Sequence, residues 1–405
     1  MIKDYFKISF LSLKNRRLRT FLTLLGVFIG IALLVVLMSL GTGLKKFMTD
    51  QFEQMGSNKL FIMPGKNLFS SAFEGIELKE KELNTIKRTK GVETVAGSIY
   101  KIERVKFNGE SKYSYIIGMP LNEKEQKLFE SMSASFKMEQ GRRLNKNDKF
   151  KATVGIDVAS DKKLFKKGVQ LNDKLEVMDQ KFTVVGVYGR VGNPQDDSNI
   201  YIPLDTARDL FNEPEKYDYI IAEVSENENV ARVAENVKKN LRKVRHLEEG
   251  WEDFTVQTPE QMLDSFSTIL TVIQAVLIGL AAISLLVGGI SIANTMYMAI
   301  LDRTHEIGVM KSIGARTTDI AILFLIESGL IGLGAGLVGI ILGSGISKLI
   351  ELAIHAAGYS MLKVYLSPVL LIGSLLFAFV FGIVSGLVPA IKASKLKPVD
   401  ALRYE

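Results

Sequence analysis

Residues 265–301 read SFSTILTVIQAVLIGLAAISLLVGGISIANTMYMAIL and hold no Lys, Arg, Asp or Glu in 37 positions; Asp264 and Asp302 close the run. About 20 apolar residues in a helix cross a bilayer core of roughly 30 Å. At about 1.5 Å per residue, the run reaches about 55 Å. One helix can therefore cross a membrane and also stand out of it. A large polar segment precedes the run, and a short polar loop, DRTHEIGVMKSIGARTTD, follows it. The pattern predicts a membrane protein in which one rigid helix links an external domain to an internal surface.

Three more stretches, 20–44, 320–347 and 364–391, carry almost no charge, and each is long enough to span a membrane as a helix. Together they account for a chain that is 47% hydrophobic, apolar for a water-soluble protein. The first run exceeds the apolar core of a signal peptide and no Ala-x-Ala site follows, so it reads as a retained span. Sidedness follows from charge. Residues 1–19 carry Lys3, Lys7, Lys14, Arg16, Arg17 and Arg19 against Asp4. The loop 302–319 carries Arg303, Lys311 and Arg316, and the tail 392–405 carries Lys392, Lys395, Lys397 and Arg403. The positive-inside tendency puts these regions on the cytoplasmic face of the cell membrane, both termini included. Residues 45–264 and the loop 348–363 then lie outside. Anionic lipid accounts for the basic N-terminus without nucleic acid as a partner. Residues 1–19 have the spacing of an amphipathic helix lying in the interface, with Ile2, Phe6, Phe10 and Leu13 near one face.

The segment 45–264 is long enough for its own core, in two lobes. KLFIMPG (59–65) reads as a strand and 79–89 as a helix. Asn108–Gly109 predicts a hairpin turn between two strands. Residues 123–132 read as a helix, TVGIDVASDKKLF as a strand passing into a helix, and 175–189 as two strands around Asp179–Gln180. IYIPLDTARDLF repeats the strand-to-helix step, and 217–224 is a strand. Residues 227–244 form a helix with Val230, Val233, Ala234, Val237 and Leu241 on one stripe. A long helix begins near Pro259. The fold class is an α-helical membrane protein with four transmembrane helices and a large α+β extracytoplasmic domain between the first two.

The chain shows no machinery for hydrolysis. It has no cysteine, and His246, His305 and His355 fall in segments that do not readily converge. His305-Glu306 is not HExxH, because residue 309 is Val. There is no phosphate loop and no GxSxG elbow. No catalytic, cofactor-binding or metal-binding residues are assigned. Any ATP and Mg belong to another polypeptide. Gly26 and Gly30 on the first span, and Gly332, Gly336, Gly339 and Gly343 on the third, permit close helix approach. Glu327 lies in the apolar text of the third span, where a carboxylate needs a partner. It is either a proton or ion site or a hydrogen-bonded packing residue. The loop RTHEIGVMKSIGARTTD has helical spacing, with Ile307, Met310 and Ile313 apolar, Glu306 near its start and Gly314 placed to end it. It is either a solvated linker or a short amphipathic helix fitted to a cytoplasmic partner.

Four texts decide between these. RRLRTFLTLLGVFIGIA (16–32), DRTHEIGVMKSIGAR (302–316), FLIESGLIGLGAGLVG (324–339) and PAIKASKLKPVDALRYE (389–405), in this order and spacing, resemble the ABC-transporter permease family that includes MacB, LolC, LolE and FtsX. The MacB-like branch is the nearer. The resemblance implies a dimer of four-span permease subunits, here a homodimer, on a cytoplasmic ATPase dimer. It implies that Arg303, Glu306, Ile307, Gly308, Lys311, Gly314 and Ala315 mark a coupling helix docking on the ATPase, with 389–405 nearby. Glu327 becomes a helix-packing residue. A porter-like part maps to about 50–100 and 215–260, and an inserted sabre-like part to about 105–212. With no ATPase domain ahead of the first span, a separate ATPase is expected. An extracytoplasmic adaptor or substrate protein is a further partner the resemblance allows. The expected function is export or efflux by mechanotransmission along the 265–301 stalk. The alternatives are an ATP-driven regulator of an extracytoplasmic enzyme such as a cell-wall hydrolase, and a peptide-sensing signalling complex.

Overall fold

The computed structural model describes residues 17–65, 76–132, 136–359 and 361–402; most of the expected interfacial helix at 1–19, and Arg403 of the tail, lie outside them. In chain order, α1 (Arg17–Met55) is followed by β1 (Lys59–Pro64), β2 (Leu78–Lys79), α2 (Glu80–Lys87), β3 (Val92–Ser98), β4 (Tyr100–Phe107) and β5 (Glu110–Met119). Then come α3 (Glu123–Glu130), β6 (Met138–Gly141), β7 (Lys151–Gly155), α4 (Ile156–Ala159), β8 (Lys174–Val177), β9 (Gln180–Tyr188) and α5 (Pro194–Asp197). β10 (Ile200–Pro203), α6 (Leu204–Phe211), β11 (Lys216–Tyr217), β12 (Tyr219–Val224), α7 (Val230–Arg245) and β13 (Phe254–Gln257) complete the polar segment. The chain ends with α8 (Pro259–Asp302), α9 (Thr304–Ser312), α10 (Thr317–Ala356), α11 (Pro368–Ser394) and α12 (Pro398–Leu402). These elements fall into two compact units, one holding 46–267 with 354–361, the other the remaining segments.

The first unit contains two sheets. In one, β13, β1, β12 and β3 lie side by side, all antiparallel. Leu60 and Ile62 of β1 point into a core built with Ile86 of α2 and Val233, Val237 and Leu241 of α7. Phe61 points to the opposite face and joins a second core with Phe129 and Tyr201. Burial on both faces explains why LFIM reads as a continuous apolar run rather than an alternation.

The other sheet runs β6-β9-β7-β10-β5-β4-β8, and β8 pairs back onto β9, so the strands close into a small barrel. Its interior is filled by Val105, Ile116, Val154, Phe182, Val184 and Ile200, among others. Closure removes the free edges that an open sheet would expose. The β4–β5 hairpin turns at Asn108 (φ 48°) and Gly109 (φ 80°), as their sequence predicts. The β8–β9 turn sits one residue earlier than expected. Met178 (φ 48°) and Asp179 (φ 64°) form it, and Gln180 already pairs with Val177. A one-residue slip would turn Leu175, Val177 and Phe182 out of the barrel, so register overrides the turn preference of Met. The helix expected through DKKLF stops at Ala159. Lys162 adopts φ 58° and Asp161 accepts a hydrogen bond from Gly168 N at 2.8 Å, which holds the segment as a loop.

In the second unit the four helices long and apolar enough to span a membrane, among the described residues, are α1, α8, α10 and α11. Lipid offers no hydrophobic drive for helix association, so packing depends on close approach. Gly26 of α1 faces Gly288 of α8, where an added Cβ would lie 2.9 Å from the Gly288 Cα. Gly30 meets Leu285 of α8. The glycines of α10 serve two neighbours. Gly332 and Gly336 abut Ala378 of α11, whereas Gly339 and Gly343 abut Phe28, Ile31 and Ala32 of α1. Ser39 and Ser347 share a hydrogen bond of 2.9 Å between α1 and α10. α11 continues through Pro389 to Ser394. Pro389 and the following Ala390 and Ala393 are buried, so neighbouring helices hold the turn that the proline weakens. α8 opens on a capping box: Thr258 Oγ1 accepts from Gln261 N at 3.2 Å, and Gln261 Oε1 accepts from Thr258 N at 3.1 Å.

Gly332→Ala places its methyl against the Ala378 carbonyl and 2.9 Å from the Gly382 Cα, whereas the same change at Gly334 meets nothing within 4 Å. We expect Gly332→Ala to destabilise the bundle by about 1–3 kcal/mol, as overpacking does, and Gly334→Ala to be nearly silent. Mixed-micelle unfolding of the two variants provides the comparison.

Candidate functional site

The polar loop after α8 folds as the nine-residue helix α9, which has an anchored face and an open face. The anchored face is apolar and small. Ile307 is fully buried, Gly308 is buried, and Met310 packs on the same core as Phe324 of α10 and Ala393 of α11. Thr304 turns its hydroxyl onto the Ile300 carbonyl at 3.0 Å, which satisfies a group at the junction with α8. α12 packs against α9, with Ala401 buried.

Two cations fix the ends of this segment. Arg303, immediately before α9, donates from Nε to Glu306 at 2.8 Å and from Nη1 to Glu327 of α10 at 3.3 Å. Glu327 is 2% exposed, so the guanidinium supplies the countercharge that a carboxylate in a membrane span requires. At the other end, Lys311 Nζ donates to the carbonyls of Ser394 at 2.6 Å and Leu396 at 2.7 Å. These carbonyls lie at and just past the C-terminus of α11, where the helix dipole favours a cation.

The helix ends in a Schellman turn. Gly314 takes φ 101° and donates to the Lys311 carbonyl at 3.1 Å, and Ala315 donates to the Met310 carbonyl at 3.0 Å. Ala315 and Met310 pack on the same core, the apolar contact that accompanies this motif. The chain then starts α10, where Asp319 accepts a hydrogen bond from Arg316 N at 3.0 Å.

Of the residues expected to form the coupling contact, Glu306 and Gly314 lie exposed. Arg303, Ile307, Gly308 and Lys311 instead tie the segment to the helices beneath it, and Ala315 is half-buried. The expected apolar stripe also divides. Ile307 and Met310 face inward, but Ile313 is 81% exposed because the helix has ended before it. Val309, which sequence spacing did not single out, is 42% exposed beside it. The open surface is therefore His305, Glu306, Val309, Ser312, Ile313, Gly314 and Arg316. Two apolar side chains stand in it next to charges of both signs.

Four helices long and apolar enough to span a membrane, with a long lobe between the first two and an anchored short helix between the second and third, describe a multi-pass membrane protein. Comparison with known proteins places it more closely. Residues 20–240 match the MacB-like periplasmic core domain, and residues 278–398 match the FtsX-like permease C-terminal domain. An uncharacterized ABC transporter permease, MJ1507 of Methanocaldococcus jannaschii, is 39% identical over 100% of this chain and 98% of its own. The macrolide export ATP-binding/permease protein MacB of Bdellovibrio bacteriovorus is 30% identical over 98% of this chain, which spans 61% of that protein. The periplasmic region of MacB from Actinobacillus actinomycetemcomitans superposes with a TM-score of 0.44 at 17% identity, covering 54% of this chain and 97% of that one. The chain belongs to the MacB/FtsX-type permeases of ABC transporters.

Arg303→Met withdraws a charged partner from the buried Glu327 carboxylate. It should cost about 1–3 kcal/mol of bundle stability, and the double variant Arg303→Met/Glu327→Met should recover part of that loss. Gly314→Ala meets no atom within 4 Å, so its cost is conformational alone; we expect about 1 kcal/mol. Equilibrium unfolding in mixed micelles measures both.

Proposed function

We propose that this chain is the permease subunit of an ABC transporter whose ATPase is a separate cytoplasmic polypeptide, and that α9 is the element the ATPase moves. The observation that carries the proposal is the two-faced build of α9. One face is locked by Ile307, Arg303 and Lys311, while Val309 and Ile313 stand exposed on the other. A helix held this way transmits a push instead of absorbing it. ATP and Mg act in the partner. The basic residues Arg303, Lys311, Arg316, Lys392, Lys395 and Lys397 favour a cytoplasmic location for α9 and for both chain ends. The lobe between α1 and α8 is then extracytoplasmic, and motion reaches it along helices that continue out of the lipid. Export or efflux by this mechanical route is the reading that fits best, because no transport path or proton relay is needed. Energy enters by shifting a two-state packing arrangement.

A second copy of the chain is the natural partner for α8. Ile269, Ile273, Val276, Leu280, Ile283 and Val287 recur with alternating spacings of four and three, and each is 41–63% exposed. Leu285, on the opposite face, is buried against the chain's own bundle. The 3.5-residue period is that of a two-stranded coiled-coil seam. With 44 residues α8 is about 66 Å long, so lipid about 30 Å thick covers about half of the helix or less.

Two measurements test the proposal. In membranes holding the permease and its ATPase, Ile313→Asp should lower permease-stimulated ATP hydrolysis roughly tenfold, the effect of losing about 1.4 kcal/mol at a docking contact. Unchanged stimulation would remove α9 from the coupling path. The chain has no native cysteine, so Val276→Cys should form an intermolecular disulfide on mild oxidation while Ile278→Cys should not; equal cross-linking at both would rule out the seam.

A further inference from the structure

The outer wall of the barrel is uneven. On β8 and β9 the outward positions carry Lys174, Glu176, Lys181 and Thr183, an ordinary solvated surface. On β4 and β5 the corresponding positions are apolar and aromatic. Cross-strand pairing sets Tyr100 opposite Ile117, Ile102 opposite Tyr115, and Arg104 opposite Tyr113. Tyr113 is 72% exposed, Ile102 56% and Tyr100 44%. Neighbouring pairs on one face of a sheet lie within mutual reach, so these side chains form one continuous patch.

The patch is held from behind. Tyr100 lies 6.3 Å from Tyr115 and 6.1 Å from Tyr219, ring centre to ring centre, and Tyr219 stacks on the buried Phe129 at 6.2 Å. Asp218 accepts a hydrogen bond from Tyr100 N at 2.8 Å, which fixes the start of the strand. Rings ordered in advance lose little freedom on binding. Exposed Tyr, Ile and Arg in a preordered cluster have the composition of an interface centre.

Charge indicates the occupant. Lys106 is neutralised by Glu176 at 2.7 Å and Asp179 at 3.1 Å, and Lys101 by Glu213 at 2.9 Å. Arg104, opposite Tyr113 on this same face, has no ion-pair partner among the described residues. The patch therefore keeps positive charge beside its aromatic rings. β4 pairs with β5 along its whole length, while β8 joins β4 at Val105 and Lys106 and β10 joins β5 from Ile116 to Met119. The outward side chains of this hairpin form the surface that a partner meets.

We propose that the β4–β5 wall is a docking surface for a folded protein partner that presents an acidic, apolar-centred face. It is independent of α9, so loss of ATPase coupling would leave it standing. The test uses the full-length chain in its native membrane, with a photo-crosslinking amino acid at Tyr113 and, as control, at Lys181 on the plain wall. We expect one protein adduct at Tyr113 and none at Lys181. The protein identified in it, once purified, should bind the full-length chain in nanodiscs. That binding should weaken at least tenfold with Arg104→Glu or Ile102→Glu and weaken with added salt, while Lys181→Glu leaves it unchanged. Circular dichroism of each variant checks that the barrel is intact. Capture of lipid, of a second copy of this chain, or of nothing at Tyr113 would overturn the proposal, as would binding indifferent to Arg104→Glu and salt.

Discussion

Glu327 is a carboxylate inside an otherwise apolar helix, and the guanidinium of Arg303 answers it from the start of α9. A charge in that position is costly unless it is paired. The pairing therefore binds the loop after α8 to the span that follows. Arg303 also holds Glu306, and Lys311 holds the carbonyls that end α11. One short helix is in this way tied by two cations to α10 and to the end of α11. A displacement of α9 must carry α10 and α11 with it or break those bonds.

The two units solve the packing problem under different solvents. The lobe uses apolar burial: two sheets share aromatic and aliphatic cores, and the pairing of β8 with β9 closes the barrel. In the bundle, glycine and alanine let backbones approach, and the contacts divide α10 between α1 on one side and α11 on the other. α10 is accordingly the most enclosed of the four spans, while α8 leaves most of its apolar surface open. A helix so exposed is also longer than a bilayer core is thick, which is why the proposed second copy is sought along α8.

Much of this was legible in the sequence, for identifiable reasons. The four spans follow from charge-free length, and the Asn108–Gly109 turn from the backbone geometry those residues prefer. The glycines of α10 pointed to close packing, but their division between two neighbours depends on helix rotation, which spacing does not give. Barrel closure was hidden because the β8–β9 and β4–β8 pairings are set by distant register. β6 and β13 are four residues each, and MEQG lacks the branched residues that mark a strand. At α9, the residue types suggested a contact surface. The identity of that surface changed because Lys311 bonds carbonyls of the distant α11 end, and because the turn at Gly314 throws Ile313 outward.

The central claim is that α9 and the lobe lie on opposite sides of the membrane, with α8 joining them. The absence of native cysteine allows single-site labelling without background. Intact cells would be treated with a membrane-impermeant maleimide after Ser312→Cys on α9 or Lys181→Cys on the barrel. The account predicts rapid labelling at position 181, and labelling at position 312 only after the membrane is opened. Equal labelling of both positions in intact cells would contradict it.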